Sequence, residues 1–365
     1  MVYSLCRAIG WSIFGGAIAL LSLPTIAAES LSYERFVDWC VNQTSLPQAT
    51  QSTVTLLLAI SGTNDCQQAD ANLSRLTSLQ LPSSQLSDLR PLASLTQLQM
   101  LQLSSNQITD LSPLSALTKL TTLILDVNQI ADLRPLTPLT NLQLLVLDTN
   151  QIVDLQPLSS LNNLTHLLLY DNQISDLSPL AALTNLQALS LYNNQISNLR
   201  PLSSLTNLQV LSLYDNQISD LRSLAPLTQL KTLQLFGNQI SDLRPLATLS
   251  QLETLSLFDN QIRDLSPLSP LKNLKELMIG NNPIADLRPL ASLTNLTRLS
   301  LFNTPVRDLT PLQSLTQLTQ LDLYNTQVSD LTPLKALPNL KSLDVRRTQL
   351  TEKTCPVQPE SVCRF

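Results

Sequence analysis

Leucine recurs along this chain at a fixed interval of 22 residues, with polar residues filling most of the places between. One unit reads Leu186, Leu189, Leu191, Asn194, Ile196, Leu199, Pro201, Leu202 and Leu205. Its Leu-x-Leu pair, which is Leu-x-Ile or Leu-x-Val in two late units, begins at Leu79, Leu101, Leu123, Leu145, Leu167, Leu189, Leu211, Leu233, Leu255, Leu277, Leu299, Leu321 and Leu343. Along an extended chain, alternation turns the two apolar residues inward and the middle one outward. A unit this short cannot bury an apolar face alone, so neighbours must stack, strand beside strand. The pattern predicts an α/β solenoid, a right-handed arc whose concave side is a parallel sheet of about 13 strands.

The polar positions repeat as strictly. Asn106, Asn128, Asn150, Asn172, Asn194, Asn216, Asn238, Asn260 and Asn282 follow successive strands. An inward amide both donates and accepts, so a stack of them predicts satisfied turn backbone between repeats. Thr304, Thr326 and Thr348 take over this register. A hydroxyl makes fewer bonds, and that end is expected to be tied less tightly. On the return side, Asp88, Asp110, Asp132, Asp154, Asp176, Asp220, Asp242, Asp264, Asp286, Asp308 and Asp330 share one register, with Asn198 the exception. Pro follows three residues later in every unit but one, where Ser223 stands. Asp caps a short helical turn and Pro is tolerated at its start. The few residues left before the next apolar pair fit a 3₁₀ turn on a thin convex side.

The ends depart from the repeat. Residues 1–28 read as a signal peptide: Arg7, an apolar run from Ala8 to Leu23, then small residues up to Ala28 before Glu29. The alternative is an uncleaved anchor, since Ala8 to Ala28 carries no charge. Cleavage leaves no membrane span. Residues 29–72 are expected to form a helical N-terminal cap, with helices over Tyr33–Asn42 and Gln48–Ile60 and with Phe36 and Trp39 in its core. Residues 73–350 carry the repeats, and residues 351–365 close the other end. Four cysteines remain after the signal, two on each side of the repeats. An even count in an exported chain predicts disulfides, here Cys40 with Cys66 and Cys355 with Cys363. Zinc is not expected, because each pair lacks two ligands.

Composition excludes most other chemistry. There are 6 Gly, 6 Phe, 6 Tyr, 2 Trp and 1 His in 365 residues, so the core must be built of leucine. The formal charge of −5 says little, because the eleven capping Asp account for it. No basic patch with interleaved aromatics is present, and nucleic acid is not an expected partner. The lone His166 faces outward with no nucleophile beside it in the pattern, and no metal-ligand spacing or phosphate-binding glycine loop occurs. The expectation is a chain without cofactor or catalytic site.

The repeat, as in TNLQALSLYNNQISNLRPLSSL (residues 184–205), resembles the leucine-rich repeats of bacterial surface proteins such as the internalins. The matching stretch runs from Leu73 to Leu350, three quarters of the chain. The resemblance implies protein recognition on the concave sheet. No immunoglobulin-like domain or cell-wall sorting signal follows the repeats, so an adhesin anchored to its own wall is not expected.

All seven aromatics of the repeats occupy one register, directly after the second Leu: Tyr170, Tyr192, Tyr214, Phe236, Phe258, Phe302 and Tyr324, interrupted by Gly280. Alternation points that register outward. Ser104, Asp126, Asp148 and Arg346 fill the same slot elsewhere, so packing does not demand rings there. One reading is a binding surface. The others are a stacking ladder that stabilises the sheet, or the copying of residues by repeat duplication. Ser190, Ser212, Ser256 and Ser300 beside the rings predict a trough, and Ile124, Val146 and Leu168 with Leu144 make a flatter apolar patch. Asp171, Asp215 and Asp259 follow the row, either as contacts for a cationic partner or as solvated turn residues. The expected function is that of a secreted, periplasmic or cell-surface protein binding a protein or peptide on its concave face. The alternatives are a carbohydrate-binding surface protein and an inhibitor or accessory of a secreted enzyme.

Overall fold

The computed structural model describes residues 33–365, and the segment read as a signal peptide lies outside them. Three helices open the described chain: α1 (Phe36–Val41), α2 (Gln48–Ser61) and α3 (Cys66–Leu73). Phe36 and Trp39 are buried in the middle of this layer. The third helix is absent from the sequence reading. It starts where the Asp65 carboxylate accepts the Gln68 N–H at 2.8 Å, and it turns Ala69, Asp70 and Leu73 inward. Cys40 of α1 is bonded to Cys66 at the start of α3. Buried Asp70 takes the Val37 N–H at 3.2 Å and the Arg35 guanidinium, so the carboxylate is paired where burial would otherwise cost most. The layer docks on the first repeat. Thr53 donates to the Asp88 carbonyl at 2.7 Å, and the Arg90 guanidinium lies 5.5 Å from the centre of the Trp39 ring.

The repeats form one open sheet of 14 parallel strands in chain order, beginning with β1 (Ser78–Gln80), β2 (Met100–Gln102), β3 (Thr122–Ile124), β4 (Leu144–Val146) and β5 (His166–Leu168). Every pairing from β1 to β13 (Ser342–Asp344) is offset by 22 residues, so Leu pairs with Leu along the whole arc. The fourteenth strand, β14 (Cys363–Arg364), is one more than the repeat predicts. It comes from the C-terminal segment, which the Cys355–Cys363 bond folds back so that Cys363 pairs with Leu343. The core is a column of fully buried Leu and Ile from each unit.

Short 3₁₀ turns form the convex side. In each unit the Asp carboxylate accepts the N–H two residues on, as Asp110 does from Ser112 at 2.8 Å and Asp220 from Arg222 at 3.0 Å; Asn198 does the same with Arg200. The side-chain hydrogen bond of Arg222, with its N–H and charge, holds the Asp220 carboxyl down at about 2.

The Asn register ties repeats together. Asn194 donates to the carbonyls of Leu191 and Tyr192 in its own unit and of Leu169 in the unit before, and it accepts the Ile174 N–H at 2.9 Å. One side chain therefore reaches four backbone groups across a repeat boundary, sharing its two N–H donors among three carbonyls. Thr304, Thr326 and Thr348 each make one bond, to the carbonyl three residues back in their own unit.

Candidate functional site

The strand residues that face away from the core, together with the register after the second Leu, form the concave surface. The aromatic register is a stack. Ring centres are 4.2 Å apart from Tyr170 to Tyr192, 4.0 Å from Tyr192 to Tyr214 and from Tyr214 to Phe236, and 4.2 Å from Phe236 to Phe258. Their planes lie within 13° of parallel. Parallel strands in register bring the rings to this spacing, where they stack. Each face in the middle of the stack is covered by a neighbour, which leaves the rings half-buried with their edges outward. Burial comes first among the causes that push the Tyr170 and Tyr192 hydroxyls up to about 12.

Gly280 does not leave a hole in this row. A Cβ there would overlap Cδ1 of Phe302, because the Phe302 ring leans over the glycine towards Phe258, at 6.0 Å and a 54° tilt. At the far end, Tyr324 carries the guanidinium groups of Arg346 and Arg347, at 5.5 and 5.4 Å from its centre.

Two expectations about the surroundings change. The serine trough is closed in its middle: Ser256 is 1 % exposed and Ser212 is buried, its hydroxyl donating to Gln234 Oε1 at 2.7 Å, while Ser190 and Ser300 are half-buried. Ser256 lies in register between Gln234 and Met278, whose longer side chains rise on both sides of it. The acids that follow the row have a backbone reason to be there. Asp171, Asp215 and Asp259 have φ of 52°, 51° and 55°, and every residue of that register from Ser83 to Arg347 is left-handed. Asp, Asn and Gly tolerate that conformation best. Two of the carboxylates are also engaged, Asp171 by the Asn193 amide and Asp259 by the Asn281 amide.

Towards the N-terminal end, Ile124, Leu144, Val146 and Leu168 are half-buried neighbours on β3, β4 and β5. Beside them the aromatic register holds Asp126 and Asp148. Asp126 accepts the Ser104 hydroxyl. Asp148 is 3 % exposed, and its Oδ1 is enclosed with no hydrogen-bond partner. Burial, together with the Asp126 and Asp171 charges, pushes the Asp148 carboxyl up, against a lowering effect of the Tyr170 hydroxyl. The sequence marks Asp148 only as a non-aromatic occupant of the row; its burial comes from the neighbouring units.

One further concavity was not expected, an open groove of about 560 Å³ lined by Gln143, Asn163, Thr165, Asn185, Gln187, Asn207, Gln209 and Gln229. Its Asn amides are committed to the scaffold: Asn163, Asn185 and Asn207 each donate to a carbonyl 23 residues earlier. His166 is exposed, and its Nδ1 meets the Thr165 hydroxyl. Among the described residues no group of His, Cys, Asp and Glu is placed to hold a metal ion, and no helix is long and apolar enough to cross a membrane.

Comparison with known proteins agrees with this architecture. A family model described as Leucine Rich repeats (2 copies) matches residues 74–116, 162–204, 184–226, 206–248, 228–270, 250–292, 272–314 and 316–354, well over half the chain. No curated protein matches. Among solved structures, an internalin (inlF) from Listeria monocytogenes is 34 % identical, with 86 % of this chain and 94 % of that one covered and a TM-score of 0.81. The functional domain of InlJ from Listeria monocytogenes is 27 % identical, covering 87 % of this chain and 72 % of that one at a TM-score of 0.73. The Leptospira interrogans leucine-rich repeat protein LIC12759, 23 % identical over 88 % of this chain and 95 % of that one, shares the fold at a TM-score of 0.69.

Proposed function

This chain belongs to the leucine-rich repeat family, and from that premise we propose that it is an exported, non-catalytic protein that holds a protein or peptide partner on its concave face, with the edges of the aromatic row making the contact. Proteins built this way are interaction scaffolds, and the cysteine pairs Cys40–Cys66 and Cys355–Cys363 suit an oxidising compartment outside the cytoplasm. The observation that carries the reading is the run of five rings from Tyr170 to Phe258, aligned on an open surface in a slot that Ser, Asp, Gly and Arg fill elsewhere in the same sheet. The fold does not need rings there, and a continuous aromatic edge is what partner hot spots favour.

The stack also weighs against the carbohydrate alternative. Sugars pack on free aromatic faces, and here the faces cover one another at 4.0–4.2 Å.

The deciding variant carries Tyr214→Ala with Phe236→Ala. Breaking two central members of the stack is expected to cost about 1–3 kcal/mol of stability. Loss of partner affinity is expected to be at least 30-fold, equivalent to about 2 kcal/mol. A variant that keeps full affinity while losing stability makes the row a structural ladder. Mass spectrometry of the exported form is expected to show a chain beginning after Ala27 or Ala28; a membrane-held protein retaining Met1 counts against export of a free form.

A further inference from the structure

The two ends of the aromatic row are closed differently. At the C-terminal end the protein supplies its own cation: Arg346 pairs with Asp344 at 2.6 Å, and its guanidinium lies 5.5 Å from the centre of the Tyr324 ring. Carboxylate, guanidinium and ring complete one another there. At the N-terminal end the register reads Asp126, Asp148, Tyr170, and the strand bonds that place these three side by side continue through it, with Val127 N–H on the Asp148 carbonyl and Thr149 N–H on the Tyr170 carbonyl. Carboxylates and ring are present, and the cation is missing. From Met100 to Phe258 no strand residue, and no residue of the register that follows, is Lys or Arg.

We propose that a basic side chain of the partner, guanidinium or ammonium, completes this end of the row by pairing with the half-buried Asp126 carboxylate in the field of the enclosed Asp148 beside it, with an aliphatic residue next to it on Ile124, Val146 and Leu168. The proposal rests on the concave-face reading above and names the chemistry that face selects. Three observations carry it. Asp148 is 97 % covered, and its Oδ1 has no hydrogen-bond partner, so beyond the Tyr170 hydroxyl its charge is left uncompensated in the free protein. The fold does not require an acid at this position, since Ser104 and Gly280 occupy the equivalent slot. The adjacent apolar patch suits the methylene stem that every basic side chain brings with its charge. Asp171 and Asp259, after the row, are taken up by neighbouring amide groups, whereas Asp126 accepts a single hydroxyl, from Ser104. Burial and the neighbouring acids raise the Asp148 carboxyl, and a cation beside it would lower it again.

The test uses random 12-residue peptides displayed on phage and selected on the immobilised full chain, on Asp126→Asn and Asp148→Asn singly and together, and on the Tyr214→Ala, Phe236→Ala variant. The wild type is expected to enrich peptides carrying Arg or Lys next to an aliphatic residue. The double Asn variant is expected to lose that preference and to bind the selected peptides at least tenfold more weakly. Its thermal midpoint should hold or rise, because an unpaired buried charge has been removed. Selected peptides without a basic residue, or peptides bound equally by the double Asn variant, overturn the proposal. If binding then still depends on Tyr214 and Phe236, the concave-face reading survives; if neither variant affects binding, both fall. Calcium alone is the remaining control. A rise in midpoint with calcium that is lost in Asp148→Asn would make the pair a metal site and also overturn the proposal.

Discussion

The arc up to Asn282 and the arc after it are built on the same leucine core but are laced together differently. Before the boundary, each unit sends an Asn amide into the unit before it. The bond from a Gln N–H to a carbonyl 21 residues back, as from Gln261 to Ile240 at 2.8 Å, is interrupted at Pro283 and Pro305 and resumes at Gln327 and Gln349. At the boundary several ladders change together. The aromatic stack meets Gly280, Pro283 and Pro305 have no N–H to give, and Thr304 and Thr326 bond only within their own units. The leucines on both sides are equally buried. Burial holds each unit in shape, and the polar side chains set how firmly one unit holds the next.

The largest test removes the tie at the weaker end. Replacing Cys355 and Cys363 by Ser should cost about 2–3 kcal/mol, since the short loop they close carries β14 onto the sheet. Hydrogen exchange should show the loss spreading through the Thr-bearing units and fading before Asn282. Exchange that speeds up uniformly along the arc contradicts a boundary. Next, Asn194→Ala should cost about 2 kcal/mol, because it strands the Ile174 N–H and the Leu169 carbonyl in the neighbouring unit. Thr326→Ala should cost about 1 kcal/mol or less, since one bond within a unit is lost. Equal shifts of the two denaturant midpoints would remove the basis of the comparison.

The converse change is smaller. Thr326→Asn offers the Val306 N–H the acceptor that the earlier units have, and a gain of about 0.5 kcal/mol is expected, read as slower exchange at Val306. Acid should leave the contrast unaltered. Hydrogen bonds from Arg222, Arg244 and Arg288 hold Asp220, Asp242 and Asp286 below the usual carboxyl range, and bonds from Ser178 and Thr310 do the same for Asp176 and Asp308. A folded-state value below the unfolded one contributes stability above pH ~4 that disappears as pH falls through the folded values, towards about 2 for Asp220. Asp148 and Asp215, raised by burial, act in the opposite direction and gain from protonation. The lowered carboxyls lie on both sides of Asn282, so titration from pH 5 to pH 2 should loosen both halves alike. Loosening confined to one half would place the acid-sensitive groups elsewhere.

Much of this was legible in the residues. Strands, convex turns and the register of the rings follow from a period that places each residue type in one slot. The helix Cys66–Leu73 was not, because CQQADANL offers only the sparse stripe Cys66, Ala69 and Leu73 and is fixed by the Asp65 cap and the bond to Cys40. The trough beside the rings was misjudged for a related reason: the outward direction of Ser256 was right, but its exposure depends on residues 22 positions away on either side.

The sequence by itself determined the repeat, the direction of each side chain and the partner 22 residues along that each strand residue meets, because alternation and a constant period leave no freedom in these. The tertiary structure alone decided that five rings lie face to face, that Phe302 covers Gly280, and that Asp148 is enclosed without a partner. Those outcomes depend on the sizes and rotamers of neighbours brought within about 5 Å by strand pairing, a contact that no single repeat contains.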